Sequence, residues 1–178
     1  TISDDIGIAT INDDDGVVYI SIAGDTQSEG TDLVFNVTLS GMSAFNVTYN
    51  FNPADLTATT ADGDYTITGG TNVINAGSTS QSITVATGND TKLELDETFE
   101  ISLSGVVGAT VSLVGTSDYA IGTIQNNDAA PDLFIDDLTF NEGETGTFSV
   151  SISEVSALDA VFTWATYDGS ATTAGSDY

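Results

Sequence analysis

The stretch LVFNVTL, residues 33–39, decides the fold class of this chain. Its odd-numbered residues are large and apolar, and Asn36 and Thr38 lie between them. Because successive side chains of a β-strand point to opposite faces of the sheet, this alternation predicts a strand with one face in a hydrophobic core. The pattern returns further along the chain, where Phe148, Val150 and Ile152 alternate with serine.

Similar alternation recurs on both sides of this stretch, and no segment keeps a helical period over three turns. Turn residues separate the alternating segments. The predicted strands are A (Val18–Ile22), B (Leu33–Leu39), C (Val47–Phe51), a D region (Tyr65–Ile67 and Val73–Ile74, with Gly69-Gly70 between them), E (Ile83–Val85), F (Phe99–Leu103) and G (Tyr119–Ile124). About seven short strands in roughly a hundred residues are typical of an immunoglobulin-like sandwich, so we predict an all-β Greek-key β-sandwich.

The chain also repeats itself. Residues 1–65 align without a gap with residues 114–178, and about a third of the aligned positions are identical. A repeat of this length corresponds to a whole domain and not to a solenoid unit. We therefore predict a tandem array in which residues 1–15 end a preceding repeat, residues 16–129 form a complete domain and residues 130–178 begin a following repeat.

The alignment extends the strand prediction to the third copy. Strands A, B and C are expected there at Leu133–Ile135, Phe148–Ile152 and Val161–Trp164. Trp164 aligns with Phe51 of strand C. We therefore expect Trp164 to be a core aromatic residue.

Composition restricts the chemistry of the chain. It has 27 acidic residues, one basic residue (Lys92), no histidine and no cysteine, and its formal net charge is −26. This charge excludes nucleic acid and anionic membranes as partners, and no apolar run is long enough to insert into a bilayer. Without histidine or cysteine, a histidine-assisted nucleophile and an ordinary zinc site are also excluded. Carboxylates, amides, hydroxyls and carbonyls remain, and these are ligands for hard cations such as calcium.

The acidic residues gather at one end of the predicted sandwich, which we call the acidic pole. In an antiparallel sandwich, loops AB, CD and EF meet the end of strand G at this pole. Its acids are Glu29 in loop AB, Asp55, Asp62 and Asp64 in loop CD, Asp90, Glu94, Asp96 and Glu97 in or beside loop EF, and Asp128 after strand G. The opposite loops, at residues 41–46, 75–81 and 105–117, carry no charge, and we call that end the uncharged pole.

Three interpretations of the acidic pole differ in what offsets the repulsion between its carboxylates. Calcium accepts six to eight oxygen ligands in loose geometry and would neutralise them. Magnesium demands a strict octahedron and suits many carboxylates less well. A solvated acidic surface, as in salt-adapted proteins, would need no metal. Two neighbouring carboxylates such as Glu94 and Glu97 could also serve a glycosidase, but no aromatic sugar platform lies beside them, so we predict no enzyme.

Four segments of the chain resemble the Calx-β domain family. They are Ser28-Glu29-Gly30, the segment from Ala58 to Tyr65 with its Asp64-Tyr65 ending, the segment from Asn89 to Phe99 with Asp96-Glu97-Thr98-Phe99, and Gly122-Thr123-Ile124 leading to Asn126-Asn127-Asp128. The resemblance covers the entire chain and implies a calcium-binding sandwich domain, as in sodium–calcium exchangers and many large bacterial surface proteins.

The resemblance also implies which residues bind calcium. The ligands carried over from the family are Glu29, Asp64, Asp90, Glu94, Glu97 and Asp128. Asn89, Asn126 and Asn127 occupy positions that are often aspartate in the family, and Asn89 and Asn126 complete the predicted ligand set. An asparagine offers a neutral carbonyl oxygen in place of an anion, which reduces calcium affinity or ion number. Asp13, Asp14 and Asp15 end a preceding site, and Glu142 and Asp177 begin a following one; neither flank is expected to hold a full site alone.

The functional hypothesis that follows is a calcium-binding structural repeat of an extracellular or cell-surface bacterial adhesin or filament. Calcium is expected to stiffen the array, with neighbouring repeats and other filament subunits as partners. A second hypothesis is a calcium-sensing regulatory module of a membrane-associated protein. A third, a ligand-binding tip domain, would need a binding surface on the uncharged pole, where Phe45 is the only aromatic residue.

Overall fold

The computed structural model describes residues 6–12, 16–111 and 118–178 of the chain. Twelve strands lie within these residues. They are β1 (Tyr19–Ala23), β2 (Asp25–Ser28), β3 (Leu33–Leu39), β4 (Val47–Asp55), β5 (Tyr65–Thr66), β6 (Gly70–Ile74), β7 (Ser80–Thr87), β8 (Glu97–Val107), β9 (Thr110–Val111), β10 (Tyr119–Gln125), β11 (Leu133–Ile135) and β12 (Val150–Ile152). None of the described residues forms a helix that is long and apolar enough to cross a membrane.

The first ten strands form two five-stranded sheets. One sheet has the order β5-β7-β3-β1-β9 and the other has the order β2-β10-β8-β4-β6. Successive strands from β1 to β10 alternate between the two sheets. The predicted all-β, immunoglobulin-like sandwich is confirmed.

The core lies between the sheets and follows the alternation in the sequence. On β3, Leu33, Phe35, Val37 and Leu39 are buried while the residues between them are exposed. The Phe35 and Phe99 rings lie 5.6 Å apart, centre to centre, and the Tyr65 ring stacks on Phe99 at 4.0 Å. These aromatic contacts join the two sheets directly below the acidic pole.

One predicted strand region is divided between the sheets, and one strand was not predicted. Predicted strand A, residues 18–22, corresponds to β1, which pairs with β3, whereas β2, which pairs with β10, was not predicted. Gly24 lies at the change of sheet, where an added Cβ atom would stand 1.9 Å from the Ile121 carbonyl oxygen. The predicted D region is divided, since β5 pairs with β7 and β6 pairs with β4. The residues of β2, DTQS, are all polar, so apolar alternation gives no signal for that strand.

The predicted FG loop, residues 105–117, is shorter in the structure. Strand β8 extends to Val107, and β9 pairs in parallel with β1. Residues 112–117 lie outside the described residues, as do residues 1–5 and Asp13–Asp15 of the predicted preceding repeat.

The prediction for the third copy is only partly correct. Strands β11 and β12 pair with each other at the positions expected for A and B. Residues 161–164 form no strand, and the side chain of Trp164 is 81% exposed, so the prediction of a core aromatic residue is wrong here. The reason is that no second sheet covers β11 and β12 among the described residues, and an aromatic residue can be buried only between two layers.

Gly122 provides a test of this packing. An added Cβ atom would lie 2.7 Å from the Phe99 ring and 2.8 Å from the Phe35 ring. We expect Gly122→Ala to destabilise the domain by about 1–3 kcal/mol through overpacking, as measured by urea unfolding. Gly41→Ala is the matched control, since nothing lies within 4 Å of its added Cβ atom. Equal unfolding midpoints for the two variants would contradict this account of the core.

Candidate metal centre

The parallel pairing of β2 with β10 brings the first two candidate ligands together. The register joins Asp25 to Gly122 and Ser28 to Gln125, and the Glu29 N–H then donates to the Gln125 carbonyl oxygen at 3.1 Å. The residues that follow both strands therefore emerge side by side. Glu29 is placed next to Asp128 although the two are far apart in sequence.

Backbone hydrogen bonds bring the remaining loops to the same place. The Gly30 N–H donates to the Gly88 carbonyl oxygen at 2.7 Å, and the Gly88 N–H donates to the Asp64 carbonyl oxygen at 2.9 Å. An added Cβ atom on Gly88 would stand 2.3 Å from the Gly63 carbonyl oxygen, so only glycine allows the CD and EF loops to approach this closely. The sequence analysis quoted Gly30 within the Ser28-Glu29-Gly30 motif but gave no role to Gly88, which directly precedes Asn89-Asp90.

Six carboxylates form two clusters at this pole. In the first cluster, Glu29, Asp90 and Asp128 each offer an oxygen, and these oxygens lie within 4.8 Å of one another. In the second cluster, Asp64, Glu94 and Glu97 do the same. All six belong to the ligand set predicted from the sequence, and the tertiary structure divides them into two groups of three.

The first cluster contains two buried oxygens that no group satisfies. Glu29 Oε2 and Asp128 Oδ2 are buried and accept no hydrogen bond from any residue that the structure describes. Burial, together with the negative charges of Asp128, Asp90 and Glu94, raises the pKa of Glu29 to about 7. A buried, unpaired carboxylate oxygen is costly, and a bound cation is the partner that would satisfy both.

The second cluster shows the same electrostatic strain. Burial and the neighbouring carboxylates of Asp64 and Glu94 raise the pKa of Glu97 to about 7, although Lys92 opposes the shift. Lys92 forms an ion pair with Glu94. One Asp64 oxygen accepts a hydrogen bond from the Thr59 N–H at 2.7 Å, which orients this carboxylate.

A cavity of about 190 Å³ opens beside the two clusters. It is lined by Glu29, Asp62, Gly63, Asp64, Gly88, Asn89, Asp90 and Glu94. The cavity is large enough for hydrated cations, and its lining offers carboxylate, amide and carbonyl oxygens. Asp62, which was outside the predicted ligand set, faces this space and also accepts a hydrogen bond from the Thr59 hydroxyl at 3.0 Å.

The asparagines of the predicted set act differently from the carboxylates. Asn126 Oδ1 accepts a hydrogen bond from the Glu94 N–H at 3.0 Å, and its amide nitrogen donates to the Asp128 carbonyl oxygen at 3.0 Å. Asn126 thus links the EF loop to the end of β10. Asn127 donates to the Glu29 carbonyl oxygen at 3.1 Å and lies 3.5 Å from Asn89 Oδ1. Asn89 lines the cavity together with Asp90 and Glu94.

Two other acids of this pole support the loops. Asp55 accepts a hydrogen bond from the Tyr65 hydroxyl at 2.5 Å, which fixes the CD loop to the core aromatic residues. Asp96 accepts one from the Asn126 N–H at 3.2 Å. Neither belongs to a cluster, so the local concentration of acids in the sequence overstates the number of candidate ligands.

The third copy repeats the CD-loop geometry. Asp177 accepts a hydrogen bond from the Thr172 N–H at 2.8 Å, as Asp64 does from Thr59, and the Tyr178 hydroxyl donates to Asp168 at 2.6 Å. Among residues 118–178, however, no three acids come together without partners from the complete domain. The loop conformation therefore forms locally, while a cluster requires the other loops as well.

The raised pKa values predict how the metal-free protein responds to pH. Glu29 and Glu97 have pKa values of about 7 in the folded state against an ordinary value of 4.5, so folding favours their protonated forms. The stability they contribute is complete below the ordinary value and is lost as pH rises through 7. We expect the chelator-treated protein to melt at a higher temperature at pH 5.5 than at pH 8.

Variants of Glu29 and Glu97 test whether these two carboxyl groups, and not the other acidic residues of the chain, cause the pH dependence. Replacing Glu29 and Glu97 together by glutamine should flatten the pH dependence of the melting temperature. Asp32→Asn should leave it unchanged, because Asp32 is exposed and outside both clusters. A double variant with the same pH dependence as the parent protein would refute the assignment of the effect to these carboxylates.

Comparisons of sequence and of structure both point to Calx-beta domains. A sequence model of the Calx-beta domain matches residues 12–130 and again residues 126–178. A comparison with curated proteins found no match. The crystal structure of the apo-form Calx CBD1 domain is similar, with a TM-score of 0.55 and 18% identity over 64% of this chain and 100% of that domain.

Two solved structures with the CBD12 designation are also similar. CBD12 from CALX1.2 has a TM-score of 0.55 at 21% identity, and the calcium binding domain CBD12 of CALX1.1 has a TM-score of 0.54 at 20% identity. The matches cover 72% and 69% of this chain and 53% of each of those chains. This chain therefore spans about half of their length, and at such identities the likeness supports the fold.

Proposed function

The chain belongs to the Calx-beta domain family, and from this membership we propose that it is a calcium-binding structural repeat of an extracellular bacterial adhesin or surface filament. Calx-beta domains are calcium-binding modules and not enzymes. In this proposal, the carboxylates of the acidic pole hold calcium, and the bound calcium stiffens the array.

The observation that carries the proposal is the pair of buried, unpaired oxygens in a cluster of three carboxylates. Glu29 Oε2 and Asp128 Oδ2 are buried without a hydrogen-bond donor from the described residues. Their mutual repulsion is a cost that the fold accepts without a compensating contact of its own. Binding of a divalent cation at this position would supply the missing partner.

Calcium fits this donor set better than magnesium. The site offers up to six carboxylates in two adjoining clusters, together with backbone and amide oxygens. Calcium accepts such crowded and irregular oxygen ligation, whereas magnesium requires octahedral geometry and retains several waters. We propose that Glu29, Asp90 and Asp128 hold one part of the calcium site, and that Asp64, Glu94 and Glu97 hold the other.

Calcium binding would stiffen the array through Asp128. This residue ends the complete domain, and β11 of the next copy begins at Leu133. Calcium bound to Asp128 and to loops AB and EF would restrain the backbone from which the next copy starts. Without the ion, the carboxylates repel one another and the connection has fewer restraints. Neighbouring repeats, and other subunits of a filament, are the partners that such an array would have.

An extracellular or cell-surface location is part of the proposal. Calcium is abundant outside cells, so sites built from several carboxylates would be filled there. A chain with one basic residue also offers almost no cleavage position to trypsin-like proteases. Its charge of −26 disfavours contact with nucleic acid and with anionic membranes.

The second candidate is a calcium-sensing regulatory module of a membrane-associated protein. The likeness to the two CBD12 structures favours it, because the Calx-beta model also matches this chain twice, at residues 12–130 and 126–178. The two functions differ in what the ion changes. A structural repeat should have the same mean orientation between domains with and without calcium, whereas a sensor should switch between two orientations.

The first test concerns stability. Calcium binds the folded state and not the unfolded chain, so free calcium at about a hundred times its dissociation constant should add about 2.7 kcal/mol. For a domain of this size, that corresponds to a rise in melting temperature on the order of 10 °C over the chelator-treated protein. An unchanged melting temperature would refute calcium binding by the folded chain.

The second test assigns the ligands. Asp128→Asn and Glu97→Gln each remove one charge from one cluster and should lower calcium affinity about tenfold or more in calorimetric titrations. Neither should lower the melting temperature of the metal-free protein, since each relieves repulsion. Asp32→Asn is the exposed control and should bind calcium like the parent. Equal affinities for all three variants would exclude these carboxylates as ligands.

The third test concerns shape. Small-angle scattering at matched ionic strength should give a narrower distribution of distances between the complete domain and the following copy in calcium than in chelator. The reason is that calcium bound to Asp128 would restrain the following copy. The mean distance should stay the same if the protein is a structural repeat. A shift of the mean would favour the sensor, and identical distributions would exclude stiffening even if calcium binds.

A further inference from the structure

A backbone bridge joins the complete domain to the following copy, outside the carboxylate clusters. Leu93 pairs in parallel with Ser156, and the Ala157 N–H donates to the Leu93 carbonyl oxygen at 2.9 Å. Beside it, the Thr91 hydroxyl donates to a Glu154 carboxylate oxygen at 3.4 Å. The EF loop of one copy thus contacts the loop that follows strand B in the next.

The complete domain has the same receiving loop at its own uncharged pole. Ser40, Ser43 and Ala44 align with Ser153, Ser156 and Ala157. The hydrogen bonds agree as well. The Ser43 hydroxyl accepts from the Phe45 N–H at 3.1 Å, and the Ser156 hydroxyl accepts from the Leu158 N–H at 3.0 Å.

The anchoring of the two loops is also alike. Ser40 exchanges two hydrogen bonds with Tyr19, both at 2.9 Å. Ser153 exchanges two with Asp132, again both at 2.9 Å, and Asp132 is the residue that aligns with Tyr19. The surface that Leu93 contacts on the following copy is therefore present, in the same local conformation, on the complete domain.

On the complete domain this loop borders a groove of about 690 Å³. Among the described residues, those that line the groove are residues 16–18, 40–44 and 76–77, and none of them is charged. The Met42 side chain is 73% exposed there. Within the described residues, the Ala44 N–H has no hydrogen-bond acceptor, although its counterpart Ala157 donates to Leu93.

We propose that this groove receives the EF loop of a preceding copy of the repeat, through the bridge that Leu93 makes with Ser156 and Ala157. The course of the chain also brings the preceding copy close to the groove. Thr10-Ile11 aligns with Thr123-Ile124 of β10, and residues 16–18, which follow the end of the preceding copy, line the groove. Each copy therefore presents its acidic pole to the loop after strand B of the next, and in the complete domain that loop carries no charge.

Charge favours this arrangement over contact between two acidic poles. The EF loop carries several carboxylates, and an acidic receiving surface would repel it. The groove offers backbone N–H groups and apolar side chains, which impose no such repulsion. A bridge made by backbone atoms also tolerates sequence differences between copies, such as Leu158 in place of Phe45.

Disulfide formation tests this inference, since the chain contains no cysteine. The protein is the present chain extended by one further copy of residues 16–128 placed ahead of residue 16, which preserves the natural spacing. Leu93→Cys in the added copy is combined with Ser43→Cys in the second copy. Residues paired by a β-bridge lie at about the separation that a disulfide spans, so mild oxidation should close an intramolecular disulfide.

Two further cysteine pairs decide the outcome. Leu93→Cys with Ser156→Cys in the present chain reports the bridge already described and should also close. The control pair combines Leu93→Cys with Ser82→Cys, because Ser82 lies on the outer side of β7. Its disulfide should form at least ten times more slowly than that of the Ser43 pair. The inference is overturned if the Ser43 pair closes no faster than the Ser82 pair, or if the Ser156 pair itself fails to close. Neither result depends on calcium, so the inference and the proposed calcium function can fail separately.

Discussion

The parallel pairing of β2 with β10 is the constraint on which the acidic pole depends. It sets the end of the AB turn beside the end of the last strand, so Glu29 and Asp128 must share one small volume. The buried aromatic contacts among Phe35, Phe99 and Tyr65 keep the two sheets in this relation. Core burial thus holds the carboxylates together against their mutual repulsion.

The site is consequently strained in its metal-free form and ordered by its backbone. Gly30 and Gly88 allow the AB, CD and EF loops to hydrogen bond directly, and Asn126 joins the EF loop to β10. These contacts use neutral groups and leave the carboxylates free. The scaffold that positions the ligands is therefore distinct from the ligands themselves, which is the arrangement that preorganised ion binding requires.

The EF loop has two roles at the junction between copies. Asp90 and Glu94 contribute to the two carboxylate clusters, while Leu93 between them contacts the following copy through its backbone. Side chains and main chain of one short segment thus serve different neighbours. In the proposed array, the ion site and the docking site alternate along the chain, with the EF loop of each copy facing the loop after strand B of the next.

Much of this protein could be predicted from local patterns. Alternation such as that of residues 33–39 gives the strands because a half-buried strand must place apolar residues at every second position. The absence of histidine and cysteine limited the chemistry to oxygen ligands. The resemblance to Calx-β domains, now confirmed by the family match, pointed to all six residues of the two clusters.

Tertiary structure decided what no local pattern contains. The chain changes sheets at Gly24, between β1 and the unpredicted β2, where close approach to Ile121 leaves no room for a side chain. The six carboxylates separate into two groups, and Asn126 becomes a backbone link, because the register of β10 determines which loop each side chain meets. Trp164 has the pattern of a core residue but lies exposed, since burial needs a second sheet that its own sequence cannot supply. The sequence by itself determined which residues can form strands and bind cations, and long-range pairing decided which of them meet.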